Sequence, residues 1–277
     1  MKADAALPYT AVPKRPAFFT PDSPGRLIPA KSARSPWSDE MLHGRLVAAL
    51  AARAAEDRAQ GFTPARITVD LFRAAPLYPV HVHAETVREG GRVRVVHVVV
   101  RCGGRETARA SVLLLRPGPE PEGRVWNPDS WSVPDPETLS SSVEEEDELA
   151  SLDIRMISPG GLATASQKRI WVREVRPLVE GEETSSFVRA VAAADLANPF
   201  GNIGESGLAF INADLTVYVG RLPVGQWIGL AIAARSTSGA IATVGANLYD
   251  CEGGFGTGSV ASVATGSIGV PTGRSSA

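Results

Sequence analysis

The chain has 277 residues, 44% hydrophobic and 21% charged, enough apolar material for one large or two ordinary domains with a packed core. Its net charge of −2 gives no global attraction to nucleic acid or to an anionic membrane, so neither is expected as a partner. Two cysteines and four scattered histidines are too few and too ill-spaced for a disulfide framework or a thiolate metal site, and no metal or cofactor is expected.

In chain order, the first residues, "MKADAALPYTAVPKRP", lack the apolar core of a secretory signal, and nowhere do about 18 apolar residues run together; the expected location is the cytoplasm. Residues 1–35 read as an N-terminal extension with a strand leading into the first domain, 36–116. Residues 38–62, "SDEMLHGRLVAALAARAAEDRAQGF", are rich in Ala, Leu and Arg and predict a helix with Ser38 as a possible N-cap. β-rich runs follow at 66–73, 78–88, 91–102 and 107–116, the last two joined at Gly103-Gly104 as a hairpin. Residues 117–150, rich in Pro, Ser and acid, read as an exposed linker with room for a docked Trp, and the acidic run Glu144–Glu148 as a solvated connector. Strand character resumes in "SLDIRMIS" and "RIWVREVRPL", so the second domain and its C-terminal tail span 151–277. A helix-like segment at 184–198 precedes strand-like runs at 208–221, 226–236, 239–250 and 258–265.

The two halves are copies. Thr68 and Thr216 lie 148 residues apart, as do Arg73 and Arg221, and Gly91 and Gly239; allowing one inserted residue, Cys102 pairs with Cys251 and Gly104 with Gly253. Each copy is a helix followed by an antiparallel sheet able to wrap it, the plan of an α+β double hotdog. Where the second copy has Asp214, heading a run that otherwise reads as a buried strand, the first has Arg66. Taken alone, Asp214 suits a turn cap or a partner for Thr216.

Two stretches carry a functional reading beside a plain structural one. "RVRVVHVVVR" alternates Arg92, Arg94 and Arg101 with valines, as the wet face of a half-buried strand does, although such a stripe also suits CoA phosphates. "AADLANPFG" is similar to the Asp-x-Asn-Pro of hotdog enoyl hydratases, but has one residue too many between Asp195 and Asn198 and no His after it. It reads as a helix end terminated by Pro199 and Gly201.

The order and spacing of "PWSDEMLHGRLVAALAARAAE", "ARITVDLFRAAPLYPVHVHAETVREGGRV", "SLDIRMIS", "IWVREVRPLVEGEETSSFVRAVAAADLAN" and "FINADLTVYVGRLPVGQWIGL" resemble the acyl-CoA thioesterase II-like family, in its form with two fused hotdogs. The resemblance covers most of residues 36–250. It implies hydrolysis of an acyl-CoA or acyl-carrier thioester, without cofactor, by a homodimer or higher homo-oligomer. It further implies that Asp214 orients a hydrolytic water, assisted by a hydroxyl residue and a Gln. Thr237 is the best match to the hydroxyl. The Gln position falls in "GTGSVASVA", which has no amide side chain and offers only Ser259 or Ser262. His43 and Gly44 match a His-Gly-Gly helix start implied to bind substrate, but Arg45 replaces the second Gly, which puts close approach of a thioester oxygen to the backbone in question. The missing Gln and Arg45 keep open a catalytically degenerate acyl-thioester-binding or assembly protein of the same fold. An enoyl-thioester hydratase or dehydratase is disfavoured by the want of an Asp/His pair.

Overall fold

The computed structural model describes residues 15–126, 131–144 and 147–268. The first half contains β1 (Phe19–Ser23), β2 (Arg26–Pro29), β3 (Arg34–Ser35), β4 (Ser38–Leu42), α1 (Gly44–Glu56), β5 (Thr63–Leu71), β6 (Val80–Glu89), β7 (Val93–Cys102) and β8 (Arg105–Leu115). The second contains β9 (Leu152–Met156), β10 (Arg169–Glu174), α2 (Ser186–Ala194), α3 (Ala197–Asn202), β11 (Ile203–Gly204), β12 (Gly207–Asn212), β13 (Asp214–Val219), β14 (Ile228–Ser238), β15 (Ile241–Asp250) and β16 (Gly253–Ile268).

Helix α1 starts later than its sequence suggests, and Ser38 is not its cap. Leu42 N–H bonds Ala75 O (2.8 Å) and His43 N–H bonds Ala33 O (3.0 Å), which hold the chain extended through β4 up to His43. His43 is the N-cap, its Nδ1 accepting from Arg45 N–H (3.4 Å). From there the helix is buried on nearly all sides, because the sheet wraps one flank and α2 covers another. Ala48, Ala49, Ala51, Ala52 and Ala55 keep it thin enough for that double contact.

One sheet runs through both halves in the order β1-β2-β6-β7-β8-β5-β13-β16-β15-β14-β10-β9, with β12 added beside β16. Its centre is the antiparallel pair β5–β13, where Thr68 faces Thr216 and the two hydroxyls bond at 3.1 Å. The offset of 148 holds across the ladders: Thr68↔Ser111 is repeated by Thr216↔Ser259, Val99↔Arg109 by Asn247↔Thr257, and Ala84↔Val98 by Ile232↔Ala246. The inserted residue inferred in the last hairpin is therefore absent. Cys102↔Arg105 and Asp250↔Gly253 both close two-residue turns, so Cys102 corresponds to Asp250 rather than to Cys251. This is a double hotdog, its halves related by a pseudo-twofold axis between Thr68 and Thr216.

Three further expectations are corrected. The strand read as continuous over 208–221 breaks at Ala213 into β12 and β13. Pro199 and Gly201 do not end a helix: α2 stops at Ala194 with Asp195 as its C-cap, and both residues lie inside α3. The linker is only partly exposed. Trp131 docks against Tyr249 (ring centroids 3.7 Å apart) and Trp171 (5.6 Å), over Gly229, where an added Cβ would come within 3.2 Å of Trp131. Ser141 donates to the buried Asp153 (2.8 Å), which also accepts from Arg155 and Arg173. The acidic run lies partly outside the described residues, as does most of the C-terminal tail.

Candidate active site

Antiparallel packing of α1 and α2 brings the N-terminus of α1 to the C-terminal end of α2. A cavity of about 680 Å³ opens there. It is lined mainly by apolar side chains, among them Val47, Leu71, Leu152, Phe200, Leu208 and Phe210. Among its polar groups, His43, Gly44, Asp195 and Asn198 gather at the helix ends with Asn212 of β12 beside them, while Arg34, Arg73, Thr107 and Asp147 line it elsewhere.

Asp195 is 4% exposed. Burial pushes its carboxyl up to about 6, against weaker downward pulls from the Asn212 hydrogen bond and the Arg45 charge. Asn212 Nδ2 donates to Asp195 Oδ1 at 2.8 Å and fixes the carboxyl's orientation. A Cβ placed on Gly44 would sit 4.0 Å from Asp195 Oδ2 and 3.8 Å from Leu71 Cδ1, so the carboxyl lies beside the helix start. The Gly44 N–H makes no hydrogen bond among the described residues. It points from the positive end of a 13-residue helix, the place where an oxyanion is best held. His43 is kept neutral, its pKa lowered to about 3 by burial first and then by the Arg45 charge. With Nδ1 accepting from Arg45 N–H, the neutral ring carries its proton on Nε2.

Arg45 does not obstruct this site. Its side chain is fully buried on the other flank of α1, where it pairs with Glu174 and lies 5.2 Å over the Phe18 ring. It is absent from the cavity lining.

Of the residues singled out by sequence, His43 and Gly44 stand at the cavity head. Asp214 stands at the foot of β13, next to the lining residue Ala213, with Oδ1 accepting from Ala261 N–H at 2.5 Å; it is not itself in the lining. Thr237 is exposed in the β14–β15 hairpin, donates to Ile241 O (3.0 Å), and is not brought to Asp214 or to the cavity. Ser262 is buried and donates to Asn198 Oδ1 (2.8 Å), which also accepts from Asn202 Nδ2 (2.9 Å). The amide side chains in the cavity lining belong to Asn198 on α3 and Asn212 on β12. By sequence, Asp195 and Asn198 fall at a helix end and Asn212 is not singled out, although a carboxylate set within the apolar run "AVAAADLANPF" is itself a signal of an unusual buried group.

The fold is two fused hotdogs with a cavity where their helices meet, and the family models matched by the sequence identify its class. Residues 33–115 match the acyl-CoA thioesterase N-terminal domain and residues 122–258 the acyl-CoA thioesterase C-terminal domain; the chain belongs to the acyl-CoA thioesterase family. Among solved structures it is similar to a TesB protein of Mycobacterium avium subs paratuberculosis (TM-score 0.67, 16% identity, covering 89% of this chain and 96% of that one). It is also similar to a hot dog protein of unknown function from Alicyclobacillus acidocaldarius (0.69, 15%, 88% and 93%) and to the acyl-CoA thioesterase II TesB2 of Mycobacterium marinum (0.61, 15%, 84% and 91%). At these identities the structural likeness carries the fold alone. No curated protein matches the sequence. Among the described residues no helix is long and apolar enough to cross a membrane, and no group of three or more His, Cys, Asp or Glu is placed to hold a metal ion.

Proposed function

We propose that this protein hydrolyses acyl thioesters of the coenzyme A type, with the acyl chain in the apolar cavity and the reaction centre at its head. The observation that carries the reading is the buried Asp195 carboxyl, raised to about 6 and set across Gly44 from a helix N-terminus whose first N–H is unbonded. The Asp195 carboxylate takes a proton from water as the water oxygen attacks the thioester carbonyl carbon. The negative charge that develops on the carbonyl oxygen is received by the Gly44 N–H and the dipole of α1. Collapse of the tetrahedral intermediate breaks the C–S bond; the thiolate leaves and gains the proton, giving a carboxylic acid and a free thiol. A pKa near 6 suits this task, since the group is mostly ionised at neutral pH yet close enough to it to act as a base.

Asp214 is the second candidate for orienting the water, on the family resemblance and its place beside Ala213. Thiol release from a panel of acyl-CoAs of increasing chain length tests both. Asp195→Asn is expected to lower the rate by about 10²–10⁴-fold, the usual worth of a positioned base, while Asp214→Asn keeps most of it. Loss in Asp214→Asn alone moves the chemistry to β13. Tight acyl-CoA binding without thiol release from the wild type identifies a binding protein instead.

A further inference from the structure

The pseudo-twofold axis makes one asymmetry of charge visible. In the second half, Arg221 is neutralised by Asp250, whose carboxylate accepts from both Nη1 (2.5 Å) and Nη2 (2.7 Å). Its counterpart in the first half is Arg73, and the counterpart of Asp250 is Cys102, buried and uncharged. Arg73 has therefore lost its acid; it is exposed and makes no ion pair among the described residues. Around it the first half has gained cations: Arg101, Arg105 and Arg109 stand where the second half has Tyr249, Gly253 and Thr257.

One acid is bound to this group. Glu106 pairs with Arg109 and with Arg101 (3.6 Å), and these arginines, together with Arg73, hold its carboxyl below the usual range. Asp70 faces Arg109 in the ladder but makes no ion pair with it. The cluster is at the mouth of the cavity: Phe72, Arg73, Ala74 and Thr107 all line it, and the Arg109 guanidinium lies 5.9 Å over the Phe72 ring.

We infer that Arg73, Arg101 and Arg109 form a rim subsite for the nucleotide phosphates of a coenzyme A thioester. Several forked, permanently charged donors at one edge of an apolar pocket suit a ligand whose acyl end is apolar and whose far end carries several phosphate charges. A carrier with a single phosphodiester leaves most of these donors unused. The inference rests on the thioesterase reading for its substrate, but its test does not require catalysis.

The test is calorimetric titration of the full chain with free coenzyme A and with 4′-phosphopantetheine, at low and at moderate salt, for wild type and for Arg73→Gln, Arg109→Gln and the double variant. Both substituted positions are exposed, and circular dichroism checks that the variants stay folded. Coenzyme A is expected to bind at least about tenfold more tightly than phosphopantetheine, to weaken about tenfold for each arginine removed, and to weaken further with salt. Equal affinity of wild type and double variant for coenzyme A overturns the inference, as does no coenzyme A binding at all. Phosphopantetheine binding as tight as coenzyme A, with the same sensitivity to the substitutions, also overturns the nucleotide assignment. Arginine-dependent coenzyme A binding in a chain that releases no thiol sinks the hydrolase reading and leaves the subsite standing. Thiol release with unchanged kcat/KM in the double variant does the reverse.

Discussion

At the scale of single residues, the cavity head combines two groups whose protonation is displaced in opposite senses. Asp195 has its pKa raised from 3.8 to about 6, so the folded state holds its proton more tightly than the unfolded one. Its contribution to stability therefore rises as pH falls from above 6 towards 4, and at pH 7 the buried charge opposes folding. His43 is lowered from 6.5 to about 3, so its contribution is complete above 6.5 and is lost as pH falls towards 3. Asp195→Asn removes the buried charge while its side-chain oxygen still accepts from Asn212. The variant is expected to be at least as stable as wild type at pH 7, by up to about 3 kcal/mol, at 1.36 kcal/mol per pKa unit. That gain should vanish near pH 4, and urea unfolding at the two pH values measures it. In the wild type, kcat/KM is expected to rise with pH around a midpoint near 6. A flat profile between pH 5 and 8, or a variant that unfolds, assigns Asp195 to the scaffold.

At the scale of elements, α3 has no room to move. Gly201 packs on β15 so closely that an added Cβ would lie 2.4 Å from Val244 Cγ1 and 2.7 Å from Cγ2. Because Asn198, Pro199 and Phe200 on the same helix line the cavity, that glycine sets how deep the wall stands. Gly201→Ala is expected to cost about 1–3 kcal/mol by overpacking, read as a lower unfolding midpoint, and to shift the preferred acyl chain length. An unchanged midpoint shows that α3 slides freely. The position of α1 has a similar cause: the extended β4, not helix propensity, determines where the helix begins. Ala-rich sequence announces the helix, but the hydrogen bonds that hold Leu42 and His43 extended come from residues 33 and 75, beyond any local pattern.

At the scale of the whole molecule, the two hotdogs are joined by the β5–β13 ladder and by the pair Arg45–Glu174, which crosses from α1 to β10 inside the core. Arg45 is 1% exposed at its side chain and Glu174 11%, and burial pushes the Glu174 carboxyl up while Arg45 pulls it back. Removing one partner leaves the other charged and unsolvated. Arg45→Met is expected to lose about 3–5 kcal/mol of unfolding free energy, and the double variant Arg45→Met, Glu174→Leu to recover most of it. If the single variant is neutral, the pair is solvated in solution and does not lock the halves. Each outer edge strand of the sheet bonds to a neighbouring segment at one residue. Residues 177–180 bond along β1 (Phe19 N–H to Leu178 O, 3.0 Å; Glu180 N–H to Phe19 O, 2.9 Å), and Ser142 accepts from Ile154 N–H of β9 (2.8 Å). Tyr218, Ile241 and Val263 are large apolar side chains left exposed on the sheet.

Sequence by itself determined the duplication, because a 148-residue spacing of Thr, Arg and Gly survives wherever strands must keep register to keep their apolar face inward. The double hotdog follows from the order of helix and strand-rich segments in each half, and the family from the resemblance of stretches spread over most of residues 36–250. His43 and Gly44 were legible as a helix start through the family resemblance, whereas helix propensity alone placed the start at Ser38. Only the tertiary structure decided that Asp195 faces them, since residues 44 and 195 meet through antiparallel packing of two helices, and no local pattern encodes such a contact. It likewise decided that Arg45 turns away from the cavity into the core, that Thr237 stands in a solvent-exposed hairpin, and that Cys102 holds the place of Asp250 beside an uncompensated Arg73. Each of these depends on which strand or helix lies next to which. Side-chain chemistry can be read from a sequence, but the neighbours that burial and charge act upon are supplied by the fold.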